Sequence, residues 1–276
     1  MAGAVAAGLA PAFWAALAAK MLASAAVVVL ASYAVERAGP LVGAMIATLP
    51  LSAGPAYVFL ALDHPPDFLR ESAVASLPAI AATGLFILAY AALARRHGLA
   101  VSVCAALAVW LAAAALLRAS VTGLATGAAA TTLVILGCMA AARSLREAAA
   151  VPVRSGRGRD VLIRAGIVML LVAAVMVAGR VAGPGLAGIL AFAPVVMVSL
   201  AVILHPRLGG PASATVLVLS LPGLLGFVAA LTALALTVER LGPALGLSLA
   251  LLINAGWNGT VLLIGRPARQ PVETRP

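Results

Sequence analysis

The chain has little charge: only 9% of its 276 residues are Asp, Glu, Lys or Arg, whereas 64% are hydrophobic. A soluble domain carries about 25% charged residues, because its surface must face water. The shortage therefore excludes a soluble globular fold, and the high hydrophobicity excludes intrinsic disorder. The composition predicts an all-α polytopic membrane protein in which residues 1–276 form a single membrane domain.

Cysteine is also scarce. Cys104 and Cys138 both lie in apolar stretches, without the spacing of a metal or redox motif. We therefore predict no metal and no cofactor. The net charge of +10 comes mainly from arginine in short hydrophilic segments. Because no basic run is interleaved with stacking aromatic residues, nucleic acid is not an expected partner. Residues 1–19 have no positively charged start, which argues against a cleaved signal peptide.

Long apolar stretches fill most of the chain. Because about 20 apolar residues cross a bilayer as a helix, we predict about nine transmembrane helices. Residues 1–19 leave open a tenth, half-length helix. The nine predicted spans are 12–35, 41–62, 72–94, 98–117, 121–142, 161–182, 184–204, 212–237 and 244–265.

Basic residues predict the orientation. The main hydrophilic segment, 143–160, contains five arginines. When it is placed in the cytoplasm, thirteen of the eighteen basic residues lie inside and five outside, as the positive-inside rule requires. We predict an N-terminus outside and a C-terminus in the cytoplasm, in a bacterial-type inner membrane. The five outer residues are Lys20, Arg70, Arg118, Arg180 and Arg240.

The sequence matches itself at an offset of 144 residues. Glycine and proline matches count most, because these residues set backbone geometry. The matches pair Gly39-Pro40 with Gly183-Pro184, Pro50 with Pro194, Ser76-Leu77-Pro78 with Ser220-Leu221-Pro222, Arg96 and Gly98 with Arg240 and Gly242, and Lys20 with Arg164. His64-Pro65 and His205-Pro206 differ by 141, so the loops there differ in length.

The offset predicts two repeats of four helices, about 20–117 and about 164–265, joined by one extra helix at about 121–142. Because four helices and one make an odd number, the second repeat enters the membrane from the opposite side. Such inverted-topology repeats are common in secondary transporters. The alternative is an old duplication that persists only as a packing scaffold.

Prolines interrupt two equivalent spans. Pro50 and Pro194 each remove a backbone donor and expose a carbonyl. In lipid those groups must line a cavity or be satisfied by neighbours, so each break is either part of a site or a packing kink. Pro78 and Pro222, near the predicted starts of their spans, are expected in the first or second helical turn.

Gly43 and Gly188 lie near the two breaks. Small residues allow helices to approach closely, so we expect spans two and seven to meet near the bilayer centre and share one substrate.

Two basic residues lie within spans at matched positions. Lys20 lies about 12 Å inside the first span by helical rise, and Arg164 lies nearer the other interface. Each either snorkels to the interface or contacts an anionic group of a substrate.

Three further polar side chains lie in span nine. Asn254 and Asn258 share one helical face, with Trp257 beside them. They are expected to form interhelical hydrogen bonds or to line a pore. The hydrophilic segment 63–71 carries catalytic residue types, but its prolines are expected to hold Asp63 and Asp67 in an extended, solvated loop without a complete catalytic set.

One segment carries a resemblance. Gly183-Pro184 and Ala187-Gly188, followed by Pro194, resemble the start of the GlpM-like family of small inner-membrane proteins, whose short four-helix chains are similar to one repeat. The first half keeps only the proline, Pro50. The run at 39–43 also looks like the glycine-rich segments of AbrB-type membrane proteins. Neither resemblance implies a defined substrate.

The sequence favours a secondary transporter or lipid-carrier translocase that works by alternating access of two inverted repeats. The excess of basic residues favours an anionic, small-molecule or lipid-linked substrate. The lipid bilayer is the expected surrounding, and a homodimer is left open. The alternative is a non-transport scaffold or an accessory subunit of an envelope-polymer pathway. An intramembrane enzyme is disfavoured, because no catalytic set is found.

Overall fold

The computed structural model describes residues 11–37, 53–121, 123–145 and 158–264. These ranges form helices without β-strands. The helices are α1 (Pro11–Arg37), α2 (Ala53–Asp63), α3 (Pro66–Leu93), α4 (Leu99–Ser120), α5 (Leu124–Ala141), α6 (Gly158–Ala182), α7 (Pro184–Ala191), α8 (Val195–Leu208), α9 (Gly210–Leu219) and α10 (Leu221–Ile264). A short 3₁₀ turn, Ala142–Leu145, follows α5.

Seven stretches of the described chain are helical, long enough and apolar enough to cross a membrane. Large aliphatic side chains project outward from them, such as Leu133, Leu170 and Leu252, each 69% exposed. This confirms the all-helical fold class and the presence of several apolar helices of membrane-spanning length. Of the second predicted span, 41–62, only the part within α2 lies in the described residues.

Helix α10 is a hairpin. Its 44 residues would extend about 66 Å as one straight helix, roughly twice the thickness of a hydrocarbon core. The chain reverses at Gly242, whose φ of 79° suits glycine. The indole of Trp257 then donates to the carbonyl of Pro222 (2.9 Å). The first arm, α10a (221–241), and the second, α10b (243–264), are therefore antiparallel.

Helix α3 is the centre of the bundle. In its membrane-spanning stretch 72% of residues are buried in protein, compared with 17% in α1. It packs against α4, α5, α7, α9 and α10. Small residues such as Ala73, Ala79 and Ala82 cover much of its surface and are fully buried, which lets neighbouring helices come close on several sides.

Contacts between helix termini define two ends of the bundle. At one end, Lys20 pairs with Asp63 and Arg70 with Glu239. We call this the Asp63 end. At the other, the Tyr90 hydroxyl meets His205 Nδ1 at 2.9 Å; we call it the His205 end. Because α1, α3, α5 and α7 begin at the Asp63 end while α4 and α6 finish there, the charged helix termini collect at the two ends.

Two local predictions are wrong for one reason: α3 begins at Pro66, six residues earlier than predicted. Pro78 therefore lies inside the helix rather than in its first or second turn. Asp63 is the last residue of α2, and Asp67 lies in the first turn of α3. Neither acid lies in an extended loop, because the paired prolines begin a helix here.

Two glycines bring helix backbones into direct contact. A Cβ atom at Gly188 of α7 would overlap the Ser72 carbonyl of α3. One at Gly210 of α9 would overlap the Ala94 carbonyl at the C-terminus of α3. The central helix is thus held at both ends by contacts that only glycine permits.

We expect Gly188→Ala to destabilise the protein by about 1–3 kcal/mol, the usual cost of forcing an extra methyl group into a packed interior. Gly166→Ala on α6 is the matched control, because no atom lies within 4 Å of its added Cβ. Thermal unfolding in detergent measures both. Equal melting temperatures for the two variants would contradict the close contact.

Candidate functional site

The helix of predicted span seven is broken at Pro194. Helix α7 ends at Ala191, and α8 begins at Val195 with the buried Pro194 as its N-cap. The backbone N–H of Ala193 donates a hydrogen bond to the Leu190 carbonyl at 3.0 Å. The span therefore bends at the proline, as the sequence predicts.

Hydroxyl groups of α3 bind carbonyl groups along this broken helix. Ser76 Oγ donates to the Gly188 carbonyl at 2.6 Å. Ser72 Oγ lies 3.2 Å from the Pro184 carbonyl and Thr83 Oγ1 3.2 Å from the Phe192 carbonyl. The contacts at Gly188 and Phe192 supply donors to carbonyls that receive no i+4 amide at the interrupted turn, and the contact at Pro184 holds the start of α7 to α3.

Aromatic residues close the region around these contacts. Tyr57 of α2 is hydrogen-bonded to Ser76 at 2.8 Å, and its ring lies 6.3 Å from that of Phe192. Phe192 also contacts the Phe227 ring at 5.2 Å. Trp110 Nε1 of α4 donates to Thr83 Oγ1, the same hydroxyl that contacts the Phe192 carbonyl. Within the described residues the break is packed by side chains. Its partner break at Pro50, and Gly43, lie outside the described residues.

Lys20 is paired inside the protein. Its Nζ lies 2.5 Å from Asp63 Oδ2, with side chains 16% and 31% exposed. The Phe59 ring lies 5.8 Å from the ammonium. The anionic group that Lys20 contacts is thus a carboxylate of the chain, a pairing that the sequence reasoning did not anticipate. Arg164, its predicted counterpart, is half-buried, and its Nε has no hydrogen-bond partner among the described residues.

The polar group of span nine packs between the two arms of α10. Asn254 and Asn258 are buried, at 1% and 7% exposure, and Asn258 Nδ2 donates to the Asn254 backbone carbonyl. Cβ atoms at Gly226 and Gly223 would lie 3.0 and 2.8 Å from the respective Asn Oδ1 atoms. These contacts, with the Trp257 bond described above, place the group in interhelical packing.

His64 lies at the corner between α2 and α3. Its ring stacks on Phe68 at 3.8 Å, and its Nε2 lies close to Gly179 of α6. Burial lowers the pKa of His64; Asp63 opposes that shift, while Lys20 and Arg180 add to it. Among the described residues, no group of three or more His, Cys, Asp or Glu side chains is placed to hold a metal.

A cleft of about 380 Å³ opens at the Asp63 end between α3, α4, α5 and α7. One face of α3 forms a wall of the cleft. The Arg118 side chain of α4 lies over Gly185 of α7, and a Cβ atom added at Gly185 would lie 3.0 Å from Arg118 Nη2. The lining residues are Arg70, Glu71, Val74, Ala75, Pro78, Arg118, Val121, Gly123, Leu124 and Gly185.

Sequence reasoning missed the hydroxyl groups of α3 and the cleft. Ser72 and Ser76, four apart on one helical face, were a usable signal. Arg118 was identified only as an outer basic residue. Its position in a cleft depends on the meeting of several helices, and no local pattern encodes that.

The fold defines a multi-pass helical membrane protein with a broken helix packed on a buried central helix. Comparison with protein-family models, curated proteins and solved structures finds no match. The resemblances to GlpM-like and AbrB-type proteins therefore stay predictions.

We expect Ser76→Ala to destabilise the protein by about 1–3 kcal/mol, because the Gly188 carbonyl would lose a donor in a buried place. Ser102→Ala is the control: Ser102 is equally buried, but its hydroxyl bonds only to carbonyls at the start of its own helix, at Gly98 and His97. Thermal unfolding of both variants tests the difference. If Ser102→Ala costs as much, the contact across the helices is not the cause.

The lowered pKa of His64 makes stability depend on pH. The unfolded histidine takes up a proton near its ordinary pKa of about 6.5, whereas the folded one does so only at lower pH. The neutral His64 ring therefore contributes its full share of folding stability above the unfolded pKa, and this share is lost as the pH falls toward the folded pKa. When the pH is lowered from about 7.5 to about 5.5, the melting temperature of His64→Gln should therefore fall by less than that of the unmodified chain. Asp67→Asn serves as control, and equal losses in all three would refute the assignment.

Proposed function

We propose that this protein is a secondary transporter or lipid-carrier translocase of a bacterial-type inner membrane, working by alternating access of two inverted repeats. The observation that carries the proposal is the correspondence between its two halves. Adding 144 to the bounds of α4 gives 243–264, the range of α10b. The same shift takes α3 to 210–237, within the combined range of α9 and α10a.

Two further pairs of described helices agree with the same offset. Shifted α1 covers 155–181, against Gly158–Ala182 for α6. Shifted α2 covers 197–207, against Val195–Leu208 for α8. Helix α5 has no partner and lies between the halves, as the odd helix of an inverted repeat must.

Directions of the matched helices support inversion. Arg180, near the end of α6, lies over the Phe13 ring at the start of α1, so α1 and α6 are antiparallel. Helix α9 begins where α3 ends, at the contact of Gly210 with Ala94. Matched helices that run in opposite directions fit a pseudo-twofold axis in the membrane plane. Two such halves can exchange conformations at similar free energy, which alternating access requires.

The break at Pro194 supports a moving element. The α7–α8 helix is joined to α3 of the other half by hydroxyl contacts at Ser72, Ser76 and Thr83. Such hydrogen bonds can be exchanged for others at modest net cost. With side chains packed around the break, the described state is one in which the centre is closed.

Charge supports the predicted orientation. All five basic residues predicted outside lie at the Asp63 end, where four acids nearly balance them: Asp63, Asp67, Glu71 and Glu239. The His205 end keeps Arg95, Arg96 and Arg207. A cytoplasmic His205 end would satisfy the positive-inside rule and leave the cleft opening outward.

A rigid scaffold is the second candidate, favoured by one observation. The halves meet backbone to backbone at Gly188 with Ser72 and at Gly210 with Ala94. Contacts without side chains between them leave little room for sliding, which suits a protein that holds partners in place.

Distances between spin labels distinguish the two candidates. One pair, Ser120→Cys with Val181→Cys, joins the halves at the Asp63 end. A second, His97→Cys with Leu208→Cys, joins them at the His205 end. Both are placed in the full chain after Cys104 and Cys138 are replaced by alanine. Alternating access predicts two populations for each pair, with one end opening as the other closes when lipid or pH is changed.

A pair within one half, Leu111→Cys with Leu99→Cys on α4, is the control and should keep one distance. Single, unchanged distances for both test pairs in every condition would overturn the transport proposal in favour of the scaffold.

A further inference from the structure

The cleft at the Asp63 end carries both signs of charge on an apolar wall. We propose that it binds the headgroup of a zwitterionic phospholipid, with the phosphate on Arg118 and the ammonium group on Glu71. The inference rests on the proposed function only in making this lipid a cargo, because binding itself requires no transport.

Arg118 supplies the phosphate contact. Among the described residues it makes no ion pair or hydrogen bond. Its guanidinium lies over Gly185, where no side chain separates it from the α7 backbone. Arginine offers a planar fork of donors that matches phosphate oxygens. Arg70 also lines the cleft, but it forms an ion pair with Glu239, whose Oε1 lies 3.8 Å from Arg70 Nε.

Glu71 supplies the contact for the ammonium group. It lines the same cleft as Arg118, yet the two form no ion pair within the described part of the chain. Seven residues further along the same face of α3, Pro78 has no N–H to donate to the carbonyl of Val74, and both residues line the cleft. A carboxylate and a carbonyl with spare acceptor capacity suit a group with several N–H donors.

The charges therefore match a zwitterion better than a simple anion. Arg70 and Glu239 neutralise each other, which leaves one cation and one acid inside the cleft. An anion would be repelled by Glu71, and a cation by Arg118. A ligand with both charges leaves the site neutral.

The surface of α4 indicates a lipid rather than a soluble zwitterion. Leu111, Ala115 and Arg118 follow one another at helical spacing on an exposed face. Leu111 is 63% exposed, and Leu116 beside that face 69%. An acyl chain can lie along this apolar face while its headgroup enters the cleft at Arg118.

Native mass spectrometry of the full chain in detergent measures binding of three lipids: phosphatidylethanolamine, phosphatidylglycerol and phosphatidylcholine. The first has phosphate and N–H donors, the second lacks an amine, and the third has a quaternary amine without N–H. We expect the first to bind most tightly. Arg118→Gln should weaken all three about tenfold or more, the loss of a charge-assisted contact. Glu71→Gln should remove the preference for ethanolamine, whereas phosphatidylglycerol, which that carboxylate no longer repels, should bind at least as tightly as before.

Arg180→Gln is the matched control, an arginine at the same end that lies over Phe13 instead of in the cleft. Melting temperatures check that the variants fold. The proposal is overturned if Arg118→Gln binds like Arg180→Gln, or if Glu71→Gln leaves the lipid preference unchanged. Glycerophosphoethanolamine, without acyl chains, should bind far more weakly by calorimetry; equal affinity would replace the lipid with a soluble zwitterion. The spin-label distances test transport separately, so either idea can fail alone.

Discussion

The need to satisfy every backbone polar group without water governs this structure. In lipid, a helix that breaks at a proline must find donors or acceptors elsewhere. Around the break α3 provides donors to the Gly188 and Phe192 carbonyls through Ser76 and Thr83, and it can do so because glycine at 188 lets α7 lie directly on its backbone. The donors of the buried α3 and the aromatic residues packed around the break together keep its carbonyl groups inside the protein.

The cost of placing a charge in a bilayer is the second constraint on this structure. Most charges lie near helix termini, where water and lipid headgroups can solvate them, whereas Lys20, which lies deeper, forms an ion pair with Asp63. Lys20 within α1 is neutralised by Asp63, which ends α2 at the same level. In the cleft, Arg118 and Glu71 line the same space but do not form an ion pair with each other. A cation and an acid that line one cleft without pairing are what direct attention to a ligand there.

The sequence predicts much of the helical layout, because proline and glycine mark the ends of helices whatever surrounds them. The sequence predicts a break at Pro194 and a boundary between spans 212–237 and 244–265, and in the structure the chain reverses at Gly242, within that boundary. Pro78 was misplaced, because a paired proline can begin a helix as readily as it can hold a loop open. The candidate site is harder to predict from the sequence. Ser76 and the Gly188 carbonyl are 112 residues apart, and a single sequence does not show which residues of two distant helices lie opposite each other.

The wide separation of those partners has a consequence for assembly. Ser76 precedes the Gly188 carbonyl by 112 residues, so at 5–20 residues per second α3 is made on the order of ten seconds before α7 can cover it. During that interval it must reside in lipid with its polar groups satisfied. The structure shows how: Ser76 also reaches the Ser72 carbonyl, and Thr83 the Ala79 carbonyl, each at 2.9 Å within α3 itself. The hydroxyls can thus be held by their own helix during synthesis and be shared with the later half once it arrives.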